Sequence, residues 1–168
     1  MNDLRHVRVA ALAAILAGAG VLSACFSSPV EPTTDFALTS LSETEDATAA
    51  DVQTESTWVI RDQDQFQRIW DRFFARRFDR PMPAIDFSTQ MVVVVTMGPQ
   101  PTAGYAVRIT GVSRNDRGIV VHVTTSSPGP NCTVAQVRTL PTAFSRLRKT
   151  DRPVQFEFTR TTRDCAAR

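Results

Sequence analysis

Three consecutive stretches, Tyr105-Ala106-Val107-Arg108-Ile109, Ser113-Arg114-Asn115-Asp116-Arg117-Gly118 and Ile119-Val120-Val121-His122-Val123, read together as a β-hairpin. Tyr105, Val107 and Ile109 alternate with Ala106 and Arg108. Ile119, Val121 and Val123 alternate with Val120 and His122, and a turn-forming cluster lies between the two runs. A period of two places each apolar set on one face of a half-buried sheet. Upstream, Met91-Val92-Val93-Val94-Val95 is an unbroken run of mostly β-branched residues, the pattern of a central strand buried on both faces.

Working outward, Trp58-Val59-Ile60 reads as a short strand, and Asp62 with Gln65 has capping-box spacing for a helix. Phe66, Ile69, Trp70 and Phe73 recur at the spacing of one helical face, which is expected to pack on a sheet. Arg68, Arg72 and Arg76 fall on another face, as a solvated surface or a basic recognition stripe, and Pro81 and Pro83 end the helix. Weaker strands are expected over 133–138 and 144–148, around Pro141. Val154, Phe156 and Phe158 alternate with Gln155 and Glu157 in a closing strand. The predicted fold is mainly β (α+β): an antiparallel β-sandwich or partly open barrel of six to seven strands with one N-terminal amphipathic helix.

Residues 1–25 read as an export signal, with Arg5 and Arg8 ahead of an apolar stretch over 9–22. Leu22-Ser23-Ala24-Cys25 resembles the lipobox of bacterial lipoproteins, in which the cysteine thiol takes the lipid and becomes the N-terminus. The competing readings are an ordinary cleaved signal with an incidental cysteine and an uncleaved anchor, for which the stretch is short and rich in Ala and Gly. Phe26 and Ser27 follow, without the Asp that resembles an inner-membrane retention signal. The expected location is therefore the bacterial cell envelope, lipid-anchored at Cys25, at the outer membrane and facing the periplasm or the cell surface. With Cys25 set aside, Cys132 and Cys165 form an even pair in a compartment where disulfides persist. They are read as one bridge, with two reduced thiols or half a zinc site as the alternatives.

Residues 26–56 hold no Lys, Arg or His but seven acidic residues: Glu31, Asp35, Glu43, Glu45, Asp46, Asp51 and Glu55. Set among Ser, Thr, Pro and Ala, this composition predicts a disordered acidic tether. Residues 57–168, the expected β-rich domain, hold seventeen of the nineteen Lys and Arg against nine of the seventeen Asp and Glu. A basic domain on an acidic leash suits anionic lipid, an acidic partner, or a tether folded back on its own domain. Nucleic acid is not an expected partner for an exported, tethered chain.

Chemistry-bearing residues are few. His122 is the one histidine outside the signal sequence, so any Ser-His-Asp or Cys-His arrangement has to be built around it; strand alternation points it toward solvent. Asp86, leading into the valine run, is either an acid or base or the hydrogen-bond acceptor of a turn. No phosphate loop, paired-carboxylate site or metal cluster stands in the sequence, and the expectation is a non-enzyme without cofactor or metal. The loop Gly98-Pro99-Gln100-Pro101-Thr102-Ala103-Gly104-Tyr105 stands apart. Two prolines stiffen it, and Tyr105 either offers a rigid contact surface to a protein partner or is held inside the core.

Phe66-Gln67-Arg68-Ile69-Trp70, Ile85-Asp86-Phe87, the 92–95 strand, Gly98 with Pro101-Thr102-Ala103-Gly104-Tyr105, Ser127-Pro128-Gly129 and the 132–165 segment resemble, in this order, the PrcB family of protease-complex subunits with a PrcB C-terminal-type domain. The resemblance covers roughly 59–165. It implies a small non-catalytic lipoprotein that binds a surface or periplasmic protease and stabilises or modulates it, with Gly98, Pro101, Thr102, Ala103, Gly104 and Tyr105 as the contact loop. The Pro101–Tyr105 segment is also similar to the Pro-Thr-Thr-Gly-Tyr loop of chagasin-like protease inhibitors, with Ala103 in place of the second Thr. At Pro141-Thr142-Ala143-Phe144 the chain departs from the PrcB pattern, which has an aromatic directly after the proline. The alternative reading is a structural envelope lipoprotein whose basic domain contacts anionic lipid or cell wall.

Overall fold

A computed structural model describes residues 37–75 and 79–165. The signal sequence, Cys25, the tether residues up to 36 and Arg76 lie outside the described residues. Along the chain come strands β1 (Thr39–Thr44) and β2 (Ser56–Ile60), helix α1 (Gln63–Phe74), and strands β3 (Gln90–Thr96), β4 (Ala106–Asn115), β5 (Gly118–Pro128), β6 (Thr142–Arg148) and β7 (Val154–Arg163). They form a four-stranded sheet in the order β1-β6-β3-β2 and a three-stranded sheet in the order β4-β5-β7. Of the two expected architectures, this is the sandwich.

The valine run explains the layering. Residues 91–95 of β3 are fully buried, and alternate side chains enter two different cores. Val92 and Val94 join Phe144 and Ile60 against Phe66, Ile69, Trp70, Phe73 and Phe74 of α1. Met91, Val93 and Val95 join Ala143 and Leu147 against Val107, Ile109, Val112, Ile119, Val121 and Val123 of the other sheet. The four-stranded sheet is thus the middle layer, covered by the helix on one face and the second sheet on the other. Asp62 caps the helix as its spacing predicts, its carboxylate accepting the Gln65 N–H at 2.8 Å. The helix stops at Phe74, before either proline.

The structure corrects the reading of 26–56 as a disordered tether. From Thr39 this stretch belongs to the domain: β1 pairs antiparallel with β6, and Ala47, Ala49 and Val52 are buried beside α1. Four of its acids meet arginines from four separate parts of the chain. Glu43 pairs with Arg108, Asp46 with Arg80, Asp51 with Arg72 and Glu55 with Arg160, at 3.5, 3.7, 2.6 and 3.3 Å. Averaged over the segment, the polar composition hides the few small apolar residues that fill the core edge. Its charge looks unbalanced because the compensating bases are distant in sequence. From Ala37 onward the chain holds seventeen bases against fourteen acids, so the domain is far closer to neutral than its 57–168 portion suggests.

Two strand expectations also change. Residues 133–138 form no strand, and the stretch is tied down by single contacts instead. The closing strand exists, but β7 runs parallel to β5, from Ile119 opposite Val154 to Pro128 opposite Arg163. Alternation specifies which residues share a face and is silent on strand direction. The β4–β5 hairpin stands as read, with a register shift between Ile109 and Gly111.

Candidate partner-binding site

The loop from Met97 to Tyr105 joins β3 in the middle sheet to β4 in the outer sheet, at the end of the sandwich where β1, β5 and β7 also finish. Gly98 opens it at φ 72°, and a Cβ there would stand 2.7 Å from the Thr54 carbonyl carbon. Only glycine combines that backbone angle with so close an approach. Buried Thr96 fastens the turn, its hydroxyl accepting the Gly98 N–H at 3.2 Å and donating to the Pro141 carbonyl at 2.9 Å.

Beyond this turn the loop is zipped to the segment before β6. Gln100 and Thr139 exchange both backbone hydrogen bonds, at 2.8 and 3.1 Å, and Ala103 N–H donates to the Ala135 carbonyl at 3.0 Å. The Thr139 hydroxyl donates to the Thr102 carbonyl at 3.0 Å. The Gln100 side-chain amide closes the loop on itself through the Met97 and Gly98 carbonyls. Gly104 N–H donates to the Glu45 carboxylate at 3.0 Å. Gly104, at φ 92°, leaves space that a Cβ would fill 3.0 Å from Val134.

The bracing segment is itself anchored. Gly129 N–H donates to the Arg163 carbonyl at 2.8 Å, and Cys132 forms a disulfide with Cys165 just past β7. The loop and the cysteine pair, read separately in the sequence, are therefore parts of one assembly. Glu45 belongs to it too, and sequence reasoning missed it because the residue lay in the supposed tether. Val137, 53% exposed, sits between the Ala135 and Thr139 contacts and adds an apolar group beside the tip. Pro101 is exposed, while Thr102, Ala103, Gly104 and Tyr105 are half-buried. Tyr105 belongs to neither core, so the loop does not serve to place its ring inside.

The two residues weighed for chemistry have other partners. Asp86 accepts from the Ser88 N–H and hydroxyl at 3.0 and 2.5 Å and from the Thr89 hydroxyl at 2.9 Å. Its carbonyl takes the Thr89 and Gln90 N–H groups, which sets the turn into β3. The Ser88 and Thr89 hydroxyls, with the Ser88 N–H, hold its carboxyl below the usual carboxylate range, and Lys149 adds a smaller attraction. A folded-state value below the unfolded one means stability present at neutral pH and lost on acidification. Replacing Asp86 with Asn is therefore expected to flatten the fall in thermal midpoint below about pH 4, near the ordinary carboxylate value. Melting curves of both proteins from neutral to acid pH check this.

His122 lies on the outer face of the three-stranded sheet, with its Nε2 2.7 Å from Ser113 Oγ and its Nδ1 3.5 Å from Glu157. The order nucleophile, base, carboxylate is present, but Ser113 is only 3% exposed. A working nucleophile needs an open approach to the reacting atom. Among the described residues no group of three His, Cys, Asp or Glu is arranged to hold a metal ion.

The fold and this end of it define a small β-sandwich domain that presents a braced, proline-stiffened loop. Residues 91–147 match the family model described as PrcB C-terminal, which bears out the PrcB resemblance from β3 through the loop, the hairpin and the brace into β6. No curated protein and no solved structure matches the chain, and no match supports the likeness of the loop to chagasin-like inhibitors.

Proposed function

We propose that the chain is a non-catalytic, lipid-anchored envelope protein that binds a protease and stabilises or modulates it, using the tip from Pro101 to Tyr105 as its contact. The carrying observation is the bracing of the tip: hydrogen bonds donated by Thr139 and accepted by Ala135 and Glu45 hold it before any partner arrives. A loop already fixed in shape loses little entropy on docking. The PrcB C-terminal match supports the reading because it spans the loop and its brace together, and the PrcB resemblance implies a subunit of a protease complex. The anchor is Cys25, and the location is the outer membrane of the bacterial envelope.

Cross-linked, tagged protein from its own cells is expected to co-purify with a protease. Tyr105→Ala is expected to lower that recovery about tenfold, the scale of an interface aromatic whose removal costs more than about 1 kcal/mol. Circular dichroism should match the unaltered chain, since Tyr105 lies outside both cores. Equal recovery of the protease by both proteins would remove the loop from the interface. Recovery of lipid and cell-wall material alone would favour a structural envelope lipoprotein.

A further inference from the structure

We propose that the end of the sandwich opposite the loop lies flat against an anionic lipid surface, through Arg61, Arg114, Arg117, Arg148, Lys149 and Arg152. The inference rests on the lipid-anchor reading and gives the anchored domain an orientation, with the Pro101–Tyr105 tip directed away from the membrane.

Strand pairing places these residues together. Ile60 at the end of β2 lies opposite Val92, and Gln90 at the start of β3 lies opposite Arg148 at the end of β6. The β4–β5 turn lies at the same end, because Ile119 N–H donates to the Pro153 carbonyl at 3.0 Å, next to the start of β7. The platform is stiff. Arg61 donates to the Thr150 and Arg152 carbonyls at 3.1 and 3.3 Å, and Lys149 Nζ donates to the Phe87 and Arg61 carbonyls at 2.6 and 3.3 Å.

None of the six bases makes an ion pair among the described residues; the acids of the 39–56 segment, a strap along the edge of the domain, reach Arg72, Arg80, Arg108 and Arg160 instead. Among the described residues the carboxylates at this end are Asp62, Asp64, Asp86, Asp116 and Asp151, five against the six bases, and Arg146 adds a seventh base. Two of the five are turned onto local backbone, Asp62 at the helix cap and Asp86 at its turn. Among the described residues at the loop end, Glu45, Asp46, Glu55 and Asp164 stand with Arg80, Arg138, Arg160 and Arg163, four acids with four bases.

The chain also enters the domain at the basic end. β1 begins at Thr39, opposite Arg146, and eleven residues separate Cys25 from Ala37. That length reaches at most about 40 Å, at roughly 3.3–3.6 Å per residue. An acyl chain on Cys25 therefore brings this end toward the headgroups, where the surface potential acts over about a Debye length.

The test uses the chain as cells process it, placed in lipid nanodiscs and followed by amide hydrogen exchange. Discs of phosphatidylcholine with phosphatidylglycerol are expected to slow exchange over 114–118 and 148–153, an effect lost at high salt and absent from pure phosphatidylcholine discs. Exchange over 98–105 should not change. A variant carrying Arg117→Glu, Arg148→Glu and Arg152→Glu, none of whose side chains holds a hydrogen bond among the described residues, should lose the protection. Its partitioning onto phosphatidylglycerol vesicles should fall at least tenfold, at roughly fivefold per base. Protection centred on 98–105, protection independent of phosphatidylglycerol, or protection that survives the charge reversals would overturn the orientation. Intact mass tests the anchor separately. A chain without acyl groups would sink the anchor reading, and its sedimentation with phosphatidylglycerol vesicles would still decide whether the basic end binds lipid.

Discussion

A chain shortened to begin at Thr57 is expected to lose cooperative folding, whereas one that begins at Ala37 keeps it. The shortened chain lacks β1, so the outer edge of β6 loses its ladder of backbone partners. It also lacks Ala47, Ala49 and Val52, which close the core between α1 and the middle sheet. Burying one valine contributes roughly 1.5–3 kcal/mol, and the exposed ion pairs of the strap add at most about 1 kcal/mol each. Together with the lost strand pairing, the deficit reaches several kcal/mol, against a total of roughly 5–15 kcal/mol for a typical domain. Thermal unfolding followed by circular dichroism separates the outcomes. A single transition at the same midpoint in both chains would show that the strap is an accessory to the fold.

Phe144→Ala is expected to be the most damaging single substitution in the core, at about 3–5 kcal/mol. Phe144 is fully buried in β6, and its ring lies 5.2, 5.6 and 5.4 Å from those of Trp70, Phe73 and Phe74. It is the residue on which the helix sits. Truncation leaves a void walled by three aromatic rings of α1, and walls of such bulky, mutually packed rings collapse poorly. The urea midpoint should fall sharply with the slope unchanged. Phe144→Leu should recover about half of the loss. A cost below about 1 kcal/mol would mean that the helix packs without needing this ring.

Much of the fold is legible because its elements bury one face each. The alternations in β4 and β5 and the helical spacing of Phe66, Ile69, Trp70 and Phe73 report burial directly, since Val107, Ile109, Ile119, Val121, Val123 and the four helical residues are buried, while the alternation in β7 picks the half-buried Val154, Phe156 and Phe158. The β1 sequence, Thr-Ser-Leu-Ser-Glu-Thr, has no such signature. It is an edge strand held by backbone hydrogen bonds, which every residue type except proline supplies. Direction was equally hidden in β7, since parallel and antiparallel strands share the same period.

The candidate site divides along the same line. Gly98, Gly104 and the prolines of the loop are visible as residue types, and the cysteine pair is visible as parity. The brace over 135–139 is not, because it works through carbonyl and N–H groups that carry no side-chain signature. The acceptor role of Glu45 depends on a contact between residues 59 positions apart.

The parallel pairing of β5 with β7 has a kinetic side. Parallel neighbours cannot be joined by a tight turn, and here the chain leaves the outer sheet after Pro128, crosses the middle sheet as β6, and returns at Val154. The outer sheet is therefore completed by the last strand of the described chain, after β6 has found its place between β1 and β3. Pairings between residues so distant in sequence form slowly. Until they form, β5 presents a bare, β-branched edge to any other extended chain, the kind of template that promotes aggregation. Maturation is then limited by arrival of the C-terminal strand. Closure of the Cys132–Cys165 bond, which spans this same excursion, marks the molecules that have completed it.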